Sequence, residues 1–252
     1  MIPTIDSTNA TSEQGLLALL MSTRMNLRRK VQHVTSGLLI LYIYTRVITP
    51  DQTAGLSLLA AACLYMLHRL RLVYPLAQRG LLAIFGSLIR PHELYQLPGA
   101  FYLLWGCGLC ILFFGRTSLH PPAPLSSSTS ASASVDIPAL CLLVLSVGDP
   151  LASFLGILIG KRDRWRIAGK SIIASAGMIA VCTIACRQLL ITLQPATAVP
   201  ALTSSELWQW SILASVAGAL FEFQELCGLD DNFRSPLGTG IVLHWWRACS
   251  RT

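Results

Sequence analysis

The sequence predicts an all-α fold: a polytopic transmembrane helical bundle of about seven spans, with a broken helix near Gly148-Pro150. Three observations lead there. Hydrophobic residues make up 53% of the 252 positions and charged residues only 12%, about half the charged share of an ordinary soluble domain. The apolar residues fall in long blocks rather than at amphipathic spacing, so lipid is the outer solvent and the backbone must satisfy its own hydrogen bonds. Lys and Arg are sorted into alternate connecting segments, as the positive-inside rule requires.

The blocks run over 32–49, 53–68, 99–115, 137–159, 171–194, 207–227 and 235–249. Most approach the roughly 17–25 residues that a helical crossing takes. The last is short and carries His244 and Arg247, which predicts a half-buried helix. Residues 76–90 form an eighth, weaker block that reads as re-entrant or interfacial. Residues 117–134, with Pro121-Pro122-Ala123-Pro124 followed by Ser, Thr and Ala, have no core-forming content and read as a flexible loop. The domain division is therefore a tail over 1–28 and one transmembrane domain over 29–249. The short apolar patch Leu16–Met21 precedes the basic cluster Arg24, Arg28, Arg29 and Lys30. A cleavable signal peptide has the opposite order.

Charge sets the orientation. With a cytosolic N-terminus, the cytosolic segments hold that cluster, then Arg69, Arg71, Arg79 and Arg90, then Lys161, Arg162, Arg164, Arg166 and Lys170, then Arg234. The other side holds mainly Arg46 and Arg116. Basic loops beside anionic lipid account for the net charge of +7 without nucleic acid as a partner, and they suit an anionic substrate. Eight cysteines lie inside apolar blocks, where they read as small packing residues rather than a disulfide frame. Cys107-Gly-Leu-Cys110 has no second pair, so packing is preferred over a metal or redox role. Trp208, Trp210, Trp245 and Trp246 read as interfacial anchors.

Asp149 is the chemical clue. A carboxylate in the middle of a spanning block costs about 3 kcal/mol on insertion scales, and membrane proteins keep one where it faces a polar cavity. Gly148 and Pro150 flank it and disfavour a regular helix there. Glu222 is a second carboxylate within an apolar block, and Asp230-Asp231-Asn232 follows it on the same predicted side. Magnesium usually takes one or two protein carboxylates plus phosphate oxygens, so Asp149, Asp230, Asp231 and Asn232 are candidate metal ligands. The plainer reading of the Asp-Asp-Asn run is a turn that starts the last helix. The basic segment from Gly160 to Ser171 ends at a predicted helix start, with Lys161, Lys170, Ser171 and Ser175 as candidate phosphate ligands. Its plainer reading is a positive-inside anchor. Gly169-Lys170-Ser171 is not a P-loop, because Arg164 stands where the leading glycine belongs and no strand precedes it. Arg29 or Lys30 shares a helix face with His33 and could present a cation and an imidazole to a phosphate.

These motifs, in this order, resemble the CTP-dependent lipid kinases: the diacylglycerol, phytol, farnesol and dolichol kinases, which are similar in turn to the phosphatidate cytidylyltransferases. Arg29-Lys30-x-x-His33-x-x-x-Gly37 resembles the opening motif, and the segment from Arg90 to Tyr102 the stretch before the third span. Gly148-Asp149-x-x-Ala152-x-x-x-Gly156-x-x-x-Gly160 resembles the central motif and is the most specific part. Lys170-Ser171-Ile-Ile-Ala174-Ser175 resembles a Lys-Ser-x-x-Gly-Ser element, with Ala174 in place of the glycine. Glu222 and Asp230-Asp231-Asn232-x-x-x-Pro236 resemble the closing acidic motif. Pro150 is a second departure from the usual pattern.

The resemblance implies an enzyme that phosphorylates a membrane lipid alcohol from CTP, diacylglycerol to phosphatidic acid first of all. It implies a divalent cation, Mg2+ or Ca2+, and an integral membrane protein of the endoplasmic reticulum with its active site in the cytosol. In that setting Asp149 and Glu222 are the candidate catalytic carboxylates. Arg29, Lys30, His33, Lys161, Lys170, Ser171 and Ser175 hold the nucleotide phosphates, and Asp149, Asp230, Asp231 and Asn232 the metal. Another lipid alcohol (phytol, farnesol or dolichol), a cytidylyltransferase and, in a different class, an ion-coupled transporter are the alternatives.

Overall fold

A computed structural model describes residues 27–85, 95–115, 135–159, 165–167, 170–194, 202–223 and 230–250. Lys161, the predicted tail up to residue 26 and the predicted loop 117–134 lie outside them. The described chain is all-α apart from one short hairpin. Helix α1 covers 27–42 and continues as a π-helical turn over Ile43–Val47. Then come α2 (Pro50–Val73), α3 (Pro75–Phe85), α4 (Gly99–Phe114) and α5 (Ile137–Ile159). Strands β1 (Arg166–Ile167) and β2 (Lys170–Ser171) pair antiparallel and lead into α6 (Ile172–Leu193), α7 (Ser204–Phe223) and α8 (Asp231–Cys249).

Each predicted block carries a helix, and local chemistry sets the ends. Thr49 and Gln52 form a capping box at the start of α2, with Pro50 in the first turn. Tyr74 is extended because Pro75 follows it, and α2 ends there. Asp136, Ser171 and Asp230 cap α5, α6 and α8 by accepting backbone N–H groups. The weak eighth block is α3. Its 11 described residues reach about 16 Å at 1.5 Å per residue, and 86–90 of the block lie outside the described residues.

Three described helices are long and apolar enough to cross a membrane: α2, α5 and α6. Helix α4 is apolar but shorter. A helix lies in each of the seven expected blocks, but among the described residues only α2, α5 and α6 have the length and composition of a crossing. Polar residues account for two of the others. Helix α7 carries Glu206, Gln209, Ser211, Ser215 and Glu222, and α8 opens with Asp231, Asn232 and Arg234.

Helix α5 is the axis of the bundle. Every residue from Val135 to Ser146 is buried, and α4, α6, α7 and α8 pack around it, as an all-round apolar helix requires. The break expected near Gly148-Pro150 is a π-helical turn over Val144–Gly148, and the helix continues beyond it. Pro150 brings no N–H to the carbonyls one turn earlier. His33 Nε2 lies 3.2 Å from one of them, the Leu145 oxygen, and donates to it.

Helix α1 runs antiparallel beside α5. Lys30 meets Asp149, His33 meets Leu145, Gly37 meets Ser146 and Tyr44 meets Asp136. At the far end Tyr44 donates to Asp136 across 2.9 Å, and Arg247 donates to the Val135 carbonyl. Arg247 is buried, in accord with a last helix only partly suited to lipid. The described cysteines are all free. Five are buried, while Cys63 and Cys249 are exposed. Trp208, Trp245 and Trp246 reach the surface, but Trp210 is buried and anchors nothing at an interface.

A Cβ on Gly37 would strike the Ser146 side chain. Gly37→Ala is expected to cost about 1–3 kcal/mol through overpacking, read as a lowered unfolding midpoint in detergent. Gly55→Ala, where a Cβ meets nothing within 4 Å, serves as control and is expected to be neutral or stabilising.

Candidate functional site

Asp149 stands at the end of the π turn, where α5 faces the first turns of α1. Lys30 Nζ lies 2.8 Å from its Oδ1 and 2.6 Å from its Oδ2. Both side chains keep less than a fifth of their exposure, at 18% and 17%. A pair this close and this dry is charge-assisted on both oxygens. Breaking it would leave a charge stranded in a poorly solvated place.

The acidic corner is brought alongside from α8. Asp230 accepts from the Asn232 N–H at 2.9 Å, which turns Asp231 into the first helical residue. Helix α4 makes room for this corner. A Cβ on Gly106 would lie 2.8 Å from the Asn232 carbonyl oxygen and 3.0 Å from Phe233 Cα. The neighbouring Trp105 ring lies 4.9 Å from that of Phe233. Only glycine allows so close an approach of two backbones.

From the other side comes the β1–β2 hairpin. Lys170 Nζ lies 3.6 Å from Asp231 Oδ2, and both side chains are 37% exposed, so this pair is looser and more screened than Lys30–Asp149. The Ser171 hydroxyl accepts from Ala174 N at 3.1 Å, and Ser175 donates to the Ser171 carbonyl at 3.1 Å. Both hydroxyls thus have partners within the α6 start.

Two cavities open on these residues. The first, of about 530 Å³, has Lys30, Lys170, Ser171, Ser175, Asp149, Glu222 and Asp231 in its walls. Glu222 is almost fully buried, at 4% exposure, near the end of α7. The second, of about 400 Å³, lies between α1, α2 and α4, and its polar walls include His33, Asp230 and Asn232. Arg29, Lys30, Asp149 and Asp231 line both.

Of the residues singled out from sequence, the structure therefore gathers Arg29, Lys30, Asp149, Lys170, Ser171, Ser175, Glu222 and Asp231 around one cavity. It sets His33, Asp230 and Asn232 on the second. No group of three or more His, Cys, Asp or Glu side chains suited to a metal ion occurs among the described residues. Asp149 and Asp231 both line the two cavities, and magnesium usually takes one or two protein carboxylates with phosphate oxygens completing its shell. The leucine wall of the second cavity escaped the sequence reading. A leucine in a spanning block looks the same whether it faces lipid, core or cavity.

The chain is 24% identical over 232 residues to the CTP-dependent diacylglycerol kinase 1 of Saccharomyces cerevisiae, covering 88% of this chain and 73% of that protein. It is equally similar, at 24% over 232 residues, to the protein of the same name from Eremothecium gossypii, covering 88% of this chain and 67% of the other. No protein-family model and no solved structure matches the chain. The resemblance to the CTP-dependent lipid kinases read from the motifs is borne out by these relatives.

The ion pair can be tested without any activity. Lys30→Met and Asp149→Leu are each expected to destabilise the protein. The double substitution should cost less than their sum by about 1–3 kcal/mol, measured by unfolding in detergent. Additive costs would show that the two side chains do not meet.

Proposed function

We propose that this chain is a CTP-dependent lipid kinase that transfers the γ-phosphoryl group of CTP to a membrane lipid alcohol, diacylglycerol first of all. One observation carries the reading: two lysines and three carboxylates, from four separate helices and the hairpin, line a single cavity. The motif resemblance and the two relatives agree with it.

Phosphoryl transfer needs little covalent help from a protein. It needs positioning and neutralisation of the phosphate charges. In the first cavity Lys30 and Lys170 take the phosphates, with Arg29 also in the wall; Lys161, which lies outside the described residues, is a further phosphate ligand. Ser171 and Ser175 fix the start of α6, so that its N-terminal end faces the same charge. His33 holds the π turn that carries Asp149. A divalent cation, held by Asp149 and Asp231 with Asp230 and Asn232 behind them, would offset phosphate charge.

The lipid hydroxyl oxygen attacks the γ-phosphorus. Its bond to the β,γ-bridging oxygen breaks, CDP leaves, and the hydroxyl proton passes to Asp149 or Glu222. Seven helices cross the bilayer of the endoplasmic reticulum and α3 lies along its interface, with the N-terminus and the cavities on the cytosolic side.

Purified protein given γ-labelled CTP, diacylglycerol and Mg2+ is expected to yield labelled phosphatidic acid and CDP. Release of pyrophosphate instead would identify a cytidylyltransferase, and no transfer to any lipid alcohol would remove the kinase reading. Asp149→Asn and Lys170→Gln are each expected to lower kcat/KM by about 10²–10³-fold. Chelation of divalent cations should abolish turnover, and added Mg2+ should restore it.

A further inference from the structure

The second cavity has a different chemistry from the first. Leu64 and Leu67 of α2, Leu81 of α3, and Leu103 and Leu104 of α4 form its apolar wall. It lacks Lys170, Ser171 and Ser175. Arg71, a cation found only on this side, is held by His68 Nδ1 at 2.8 Å and by the Gln96 carbonyl at 3.1 Å. The polar end is the wall that it shares with the first cavity: Arg29, Lys30, Asp149 and Asp231. Leu67 lines it and is 37% exposed on α2, a helix long and apolar enough to cross a bilayer.

We infer that the second cavity receives the acceptor lipid, a glycerolipid with a free hydroxyl, and presents that hydroxyl to Asp149 through the wall that the two cavities share. The inference rests on the lipid-kinase reading above and assigns the lipid its own residues. Its volume of about 400 Å³ is near the lower end of ordinary ligand pockets, roughly 300–1,000 Å³. It therefore takes the glycerol end and the first methylenes, and the acyl chains continue past Leu67 into the bilayer.

Donor and acceptor then approach from opposite sides of the Lys30–Asp149 pair. Glu222 lines only the first cavity. Asp149 lines both and keeps lone pairs beyond the two that Lys30 engages. The shared wall is accordingly where the hydroxyl oxygen bonds to the γ-phosphorus and CDP departs, the proton passing to Asp149 or Glu222 as above.

The test is photo-cross-linking in detergent micelles, without nucleotide, using a diacylglycerol with a diazirine near the carbonyl end of one acyl chain. Adducts are expected in peptides containing Leu64–Leu67 and Leu103–Leu104, lost on addition of excess unlabelled diacylglycerol. Adducts confined to Phe154–Ile157 and Ala174, on the first cavity, would overturn the inference, as would labelling that excess diacylglycerol does not displace. The readout needs no turnover, so a protein that binds the lipid here but transfers no phosphate would sink the kinase reading and leave the site standing. In an active preparation, Leu67→Trp is expected to raise the KM for diacylglycerol about tenfold and leave the KM for CTP unchanged. An unchanged lipid KM, or a matching rise for CTP, would count against the assignment.

Discussion

Asp149 could not stand in the middle of an apolar helix without a counter-charge, and Lys30 supplies it from the antiparallel helix alongside. A carboxylate at that depth costs about 3 kcal/mol even on lenient scales. The attraction of a close ammonium offsets that cost when the geometry is good. The pair also fixes the register of α1 on α5. With Lys30 opposite Asp149, Gly37 must pass Ser146, and Tyr44 arrives at Asp136.

The same few residues make the local backbone irregular and useful. Pro150 deprives the preceding turn of an N–H, the helix widens into a π turn, and His33 donates to the Leu145 carbonyl there. Such turns are frequent at functional sites. This one sets Asp149 in the walls of both cavities. Around it the hairpin brings Lys170 and the start of α8 brings Asp231. Helix ends, which already carry capping groups and partial charge, thereby meet one carboxylate on a helix that is otherwise core. The result is a cluster of charged side chains at one end of an apolar bundle, in the walls of two cavities.

Much of this was legible in the sequence because membrane folding leaves few options. Every long apolar block became a helix. Charges inside those blocks had to be used, and Asp149 and Glu222 both face a cavity. What was not legible were relations across distance and among like residues. Lys30 and Asp149 are 119 positions apart, and nothing local marks them as partners. Asp136, just ahead of the central block, gave no hint that Tyr44 would donate to it. Trp210 has the same look as Trp208, yet one is packed inside and the other stacks on Arg187 at the surface. The shape of the break at Gly148-Pro150 depended on a donor from another helix, so the sequence predicted an irregularity but not a π turn.

A structure determined in lipid with a non-hydrolysable CTP analogue, Mg2+ and diacylglycerol bears most directly on the central claim. It should place the γ-phosphate against Lys30 and Lys170 in the first cavity, with the lipid hydroxyl on the Asp149 side and the metal beside Asp149 and Asp231. A nucleotide bound away from the Lys30–Asp149 pair, with that pair turned toward acyl chains, would contradict it.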